Sequence, residues 1–93
     1  MTQSNNEVLT NALLEILDNQ LRAFDPPETK ETYNRLVAEG YPEEQARILL
    51  ATAIWMEINM MMKEMEPFNR KRFVATLLEL PDSLPLEMRT RSW

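Results

Sequence analysis

The stretch PEEQARILLATAIWMEINMMMKEME, residues 42–66, is the longest uninterrupted helical pattern in the chain. It contains no internal Gly or Pro, and between residues 48 and 62 only Thr52, Glu57 and Asn59 are polar. A surface helix shows one apolar stripe, whereas a helix that is apolar on nearly all sides must be covered on most of them. We therefore expect the other segments to pack around a long central helix at about residues 42–66.

The rest of the chain divides into three further helical patterns, at about residues 6–24, 27–39 and 68–80. Asp25, followed three residues later by Glu28, is a plausible cap for the second helix. Gly40 fits the left-handed position that ends it. The sequence thus predicts one all-α domain over residues 1–93, a small bundle of four helices. We expect a frayed N-terminus at residues 1–5 and an irregular C-terminal tail at residues 81–93, where apolar side chains still occur.

Composition excludes several classes of function. The net charge is −5, which argues against general nucleic-acid binding because that requires a basic surface. The chain has no Cys and no His, so it lacks a thiol nucleophile, a Ser–His triad and the commonest transition-metal ligand. Its single Gly rules out the phosphate-binding loops that need several. We expect no cofactor and no metal.

The location of the protein is predicted from its apolar segments. The N-terminal residues lack the basic region and apolar run of a signal peptide. The apolar run at residues 48–62 is shorter than the roughly 20 residues of a membrane span, and Glu57 interrupts it. The sequence predicts a soluble cytoplasmic protein without a membrane partner.

Glu57 is the main anomaly of the sequence, because at 100° per residue it lies near the middle of the apolar arc of its helix. A buried carboxylate has a raised pKa and can act in catalysis or bind a metal. The interpretation we favour is a structural polar residue, satisfied by Gln20, a Tyr hydroxyl or an Arg. The candidate buried polar residues are Glu57, Gln20 and Tyr33. Paired carboxylates would be needed for a metal site, and Glu28 with Glu31 lies off the apolar face of its helix.

Methionines crowd the second half of the central helix. Met is a flexible gap-filler in cores, and Met-rich surfaces also recognise partners. Both interpretations stay open, because a short chain has little apolar surface with which to cover so wide an arc. The candidate interface residues are Trp55, Met56, Met60, Met61, Met62 and Met65.

A basic run, Arg70-Lys71-Arg72, opens the fourth helix, where cations are disfavoured by the helix dipole. It is a candidate anion or nucleic-acid patch, although a charge run is usually a solvated face. Arg70 leans toward the apolar side by angle, and if it points inward its natural partner is Glu64.

Several of these features together resemble short uncharacterised bacterial helical proteins. The resemblance rests on the run Tyr33-Asn34-Arg35-Leu36, on Gly40-Tyr41, on Glu44 with Ala46, on Glu57, and on the segment from Phe73 to Leu80-Pro81. It covers about half of the chain. It implies a helical fold and a bacterial origin, and it implies no activity.

The function that the sequence favours is a small protein–protein interaction or regulatory module. Its partner is a second copy, forming a homodimer through the Met-rich half of the central helix, or another protein. The alternative is a small helical enzyme or ligand-binding protein that uses Glu57 in an enclosed pocket. A third hypothesis, nucleic-acid contact through residues 70–72, requires those side chains on one open face with Arg89 or Arg91 beside them.

Overall fold

The computed structural model describes residues 5–89, and this part of the chain is an all-α bundle with no strand. The helices are α1 (Asn5–Ala23), α2 (Pro27–Ala38), α3 (Glu43–Glu64), α4 (Arg70–Leu78) and α5 (Leu86–Arg89). The predicted all-α bundle of four helices is confirmed, and α5 adds one helical turn to it.

Helix α3 is the centre of the bundle, since α1, α2, α4 and α5 all contact it. Its middle is covered on nearly every side, because consecutive residues from Leu49 to Ile54 are all buried. Its last turns are exposed from Met62 onward. The surrounding helices, with the turns between α4 and α5, complete one core with Leu13, Leu17, Leu36, Phe73, Leu77, Leu80 and Leu84.

The junction between α1 and α2 differs from the prediction. The N-cap of α2 is Pro26, no side chain caps this helix, and Pro27 occupies its first position. Asp25, the predicted cap, forms an ion pair with Arg70 at 2.8 Å instead. A capping pattern reflects only residues that are near one another in the chain. In the folded protein, α4 places the Arg70 guanidinium at this junction.

Three helices end with a residue in the left-handed backbone conformation. Gly40 does so as predicted: the Gly40 N–H donates to Val37 O at 3.0 Å and the Tyr41 N–H to Leu36 O at 3.1 Å, which is the Schellman pattern. Helices α1 and α3 end on Phe24 and Met65, with φ values of 51° and 52°. A left-handed conformation is unusual for residues with such side chains.

Two arginines tie the helices together through polar contacts. The Arg35 guanidinium on α2 donates to Leu80 O at 2.9 Å and to Leu77 O at 3.3 Å, so it satisfies carbonyls at and just beyond the end of α4. Arg47 on α3 pairs with Asp18 on α1 at 2.6 Å.

The C-terminal segment, expected to be irregular, includes helix α5. Leu84 is buried in the core, and the Ser83 hydroxyl donates to Thr76 O at 2.7 Å. The Arg89 side chain donates to Leu84 O at 3.1 Å. Arg91, which the sequence suggested as a possible neighbour of the basic run, lies outside the described residues.

None of the helices between residues 5 and 89 combines the length and the apolar character that a membrane span requires.

Candidate functional site

Glu57 lies in the second half of α3, facing α4, with 4% of its surface exposed. Both oxygens of its carboxylate have partners. Arg72 donates from Nε to Oε1 and from its terminal nitrogen to Oε2, each at 2.8 Å. The Asn69 backbone N–H donates to Oε2 at 2.9 Å. This is the bidentate arrangement in which Arg binds carboxylates most strongly.

Asn69 organises the start of α4 around this pair. Its side-chain oxygen accepts a hydrogen bond from the Arg72 N–H at 2.9 Å, so Asn69 is the N-cap. Its own N–H reaches Glu57 at the same time. The Glu57 carboxylate therefore lies at the positive end of the α4 dipole, where an anion is favoured and where the basic first turn of α4 needs compensation.

The environment keeps Glu57 ionised. Burial raises the pKa of its carboxyl and is the largest single influence, but the hydrogen bonds from Arg72 and Asn69 and the charge of Arg72 together lower that pKa below its ordinary value. The hydrogen bond to Glu57 in turn raises the pKa of Arg72. An ionised, fully paired carboxylate does not exchange protons near neutral pH, so this geometry suits a structural ion pair.

An apolar hollow of about 110 Å³ lies on one side of Glu57, between α1, α3 and the start of α4. We call it the apolar groove. The rings of Phe68 and Phe73 meet edge to face in its wall, with centroids 5.5 Å apart. Its lining residues are Ile16, Gln20, Ile54, Glu57, Ile58, Met61, Phe68 and Phe73.

The methionines predicted as one interface are divided by the Glu57–Arg72 pair. Met56 and Met60 line a second hollow, of about 230 Å³, on the other side of the pair with Arg72 and Thr76. Met61 belongs to the apolar groove. Met62 and Met65 project into solvent, with 61% and 91% of their surfaces exposed. Trp55 and Met56 are half-buried and pack against the monomer's own core, so the six residues do not form one face.

The other two candidate buried polar residues, Gln20 and Tyr33, form hydrogen bonds with residues other than Glu57. Gln20 lines the apolar groove, but its side-chain oxygen accepts a hydrogen bond from the buried Thr29 hydroxyl at 2.9 Å. Tyr33 is half-buried at the edge of α2, and its hydroxyl donates to Glu43 at 2.7 Å on the surface. That hydrogen bond raises the pKa of Tyr33. The prediction of Tyr33 as a buried polar residue is wrong, because the N-terminus of α3 supplies an exposed partner.

The basic run does not form one open patch. Arg72 is turned to Glu57, Arg70 to Asp25, and Lys71 is exposed. The Arg70–Glu64 pair was expected only if Arg70 pointed inward. Its side chain is exposed instead and pairs with Asp25, because α4 packs against α2 and brings Arg70 to the junction between α1 and α2. Within the described residues, no three acidic side chains come together as a metal site.

Sequence reasoning missed Asn69, which it placed inside the fourth helix. A signal was present, since Asn is among the preferred N-cap residues and follows Pro67 closely. It also missed Ile16 and Phe68 as groove walls, because only the packing of α1 against α3 brings them together.

Comparison of the chain with models of known protein families, with curated proteins and with solved structures gave no match.

Proposed function

We propose that the protein is a small protein–protein interaction module that forms a homodimer through the end of the bundle holding the apolar groove. The observation that carries the proposal is that exposed apolar side chains occur both in the wall of the groove and at the end of α3 that follows it in the chain. The groove is walled by the partly exposed Ile16 and Phe68, and the exposed Met62 and Met65 follow closely after Met61, which also lines it. Clustered apolar surface of this kind marks interaction sites in soluble proteins.

The size of the apolar groove favours a protein partner over a small molecule. Pockets for small ligands typically hold about 300–1,000 Å³, whereas this groove holds about 110 Å³. A hollow of that size suits one apolar side chain, and protein interfaces commonly gain most of their affinity from a few such anchors.

The alternative functions draw less support. A catalytic or ligand-binding Glu57 needs a free carboxylate oxygen, and all three hydrogen bonds described above occupy this group. Nucleic-acid contact through the basic run needs three free cations, and two of them are paired with acids. We therefore retain the interaction module, in a cytoplasmic setting and with a regulatory role, as the proposed function.

Sedimentation equilibrium from micromolar to hundreds of micromolar concentration tests the proposal. We expect a monomer–dimer equilibrium for the natural sequence, whose monomer has a mass of 11.0 kDa. Met62→Lys combined with Met65→Lys should shift it to monomer with an unchanged helical circular-dichroism signal, because both side chains are exposed.

The matched control is Leu78→Lys combined with Leu86→Lys, which replaces two other exposed apolar residues outside the groove lining. This control should dimerise like the natural sequence. A natural protein that stays monomeric over the whole concentration range would refute the homodimer. If both double variants lost dimerisation to the same extent, the proposed location of the interface would be refuted.

A further inference from the structure

Met65 is an apolar side chain held in solvent by a well-defined helix end. It has 91% of its surface exposed. Its N–H donates to Met61 O, and the following Glu66 N–H donates to the same carbonyl at 3.1 Å. Met65 therefore projects from a fixed point one turn beyond Met61, which lines the apolar groove, and three residues before Phe68 in the groove wall.

The charges of residues 57–72, the segment that supplies Glu57, Ile58, Met61 and Phe68 to the groove lining, favour a second copy as the partner. Residues 57–72 contain four basic side chains (Lys63, Arg70, Lys71, Arg72) and three acidic ones (Glu57, Glu64, Glu66), a net charge of +1. Asp25, paired with Arg70, brings the sum to zero. The whole chain carries −5, so the acidic excess lies elsewhere. Two copies can bring this balanced end together without like-charge repulsion, whereas a strongly basic partner would gain nothing from it.

We propose that two copies pair around a two-fold axis so that Met65 of each copy enters the apolar groove of the other. The inference rests on the proposed homodimer and adds its anchor residue. A two-fold contact uses the same surface on both copies, so a projecting side chain and a hollow at the same end of the molecule make a self-complementary surface. Methionine suits the role because its unbranched, flexible side chain adapts to an irregular apolar hollow.

The substitution Met65→Gly tests the anchor side chain without disturbing the fold. Glycine adopts the left-handed conformation at this position without steric cost, so the variant keeps the end of α3 while losing the side chain. We expect the dimer dissociation constant to rise by about tenfold or more, which is typical for loss of an interface anchor, while the thermal midpoint of the monomer stays level or rises. Phe24→Gly is the matched control, since Phe24 also ends its helix left-handed and exposed, outside the groove lining. It should dimerise normally.

A mixing experiment tests the reciprocal contact. Ile16→Arg blocks the groove at a partly exposed position of its wall. Neither Ile16→Arg nor Met65→Gly should dimerise well alone. Their mixture should form a heterodimer, because the first retains Met65 and the second retains an open groove.

The outcomes separate this inference from the proposed function. If the natural protein does not dimerise, both the proposed homodimer and the Met65 anchor are refuted. A natural dimer that Met65→Gly leaves intact, or that Phe24→Gly disrupts equally, overturns the Met65 anchor and leaves the homodimer standing. A mixture that associates no better than its components, with both variants folded by circular dichroism, overturns the reciprocal arrangement.

Discussion

At the scale of single residues, the packing of α4 on α3 includes an ion pair, which Glu57 on α3 forms with Arg72 on α4. Glu57 has almost no access to water, whereas 29% of the Arg72 side chain is exposed. Removing the carboxylate leaves a cation that water reaches only in part, so the pair costs more to break than a surface salt bridge.

Glu57→Gln should therefore lower the free energy of unfolding by about 2–3 kcal/mol, somewhat below the range for fully buried pairs because Arg72 can rehydrate in part. Urea denaturation measures this loss. Replacing both partners, Glu57→Leu with Arg72→Met, should cost less than the single change, since no charge is then left unpaired. A Glu57→Gln variant as stable as the natural protein would show that the ion pair contributes nothing net.

The same pair predicts a loss of stability in acid. The pKa of Glu57 is lowered in the folded protein, so its contribution is fully present above the ordinary carboxyl pKa of about 4.3 and is lost as the pH falls through the lower folded value. Between neutral pH and pH 3, the natural protein should lose more unfolding free energy than Glu57→Gln. Urea denaturation of both proteins at several pH values measures the difference. Equal losses of unfolding free energy between neutral pH and pH 3 would contradict the prediction.

At the scale of secondary structure, the helix ends show where local sequence and backbone conformation disagree. Gly40 takes a left-handed conformation at no steric cost, whereas Phe24 and Met65 take it with full side chains. Both side chains are largely exposed, so packing offsets little of this cost. The hydrogen bonds from Asp25 N–H to Gln20 O and from Glu66 N–H to Met61 O hold the two ends in place.

Phe24→Gly should raise the free energy of unfolding by about 0.5–1 kcal/mol, because relief of the left-handed strain exceeds the backbone entropy that glycine loses on folding. Gly40→Ala is the reverse control. An added Cβ at Gly40 meets no atom within 4 Å, so the variant tests the backbone conformation alone and should lose about 1 kcal/mol. Thermal or urea unfolding measures both changes. A destabilised Phe24→Gly would mean that Phe24 packs more favourably than its exposure indicates.

At the scale of the whole molecule, one short chain covers only part of its central helix. The middle of α3 is buried among α1, α2, α4 and α5, but nothing within residues 5–89 covers Met62 and Met65. A chain of 93 residues has limited surface to bury, so a second copy is the natural source of further cover. These two methionines lie at the electrically balanced end of the bundle, which is the basis of the proposed dimer.

The sequence by itself determined the helical class, the central position of residues 42–66 and the end of α2 at Gly40. These follow from periodicity and from backbone preferences, which act over a few residues. The buried position of Glu57 also followed from its angle on the helix. Only the tertiary structure decided which cation reaches Glu57, why Asp25 leaves α2 uncapped, and how the methionines divide. Those outcomes depend on how α4 packs against α3 and α2, and a pattern along one helix contains no information about that packing.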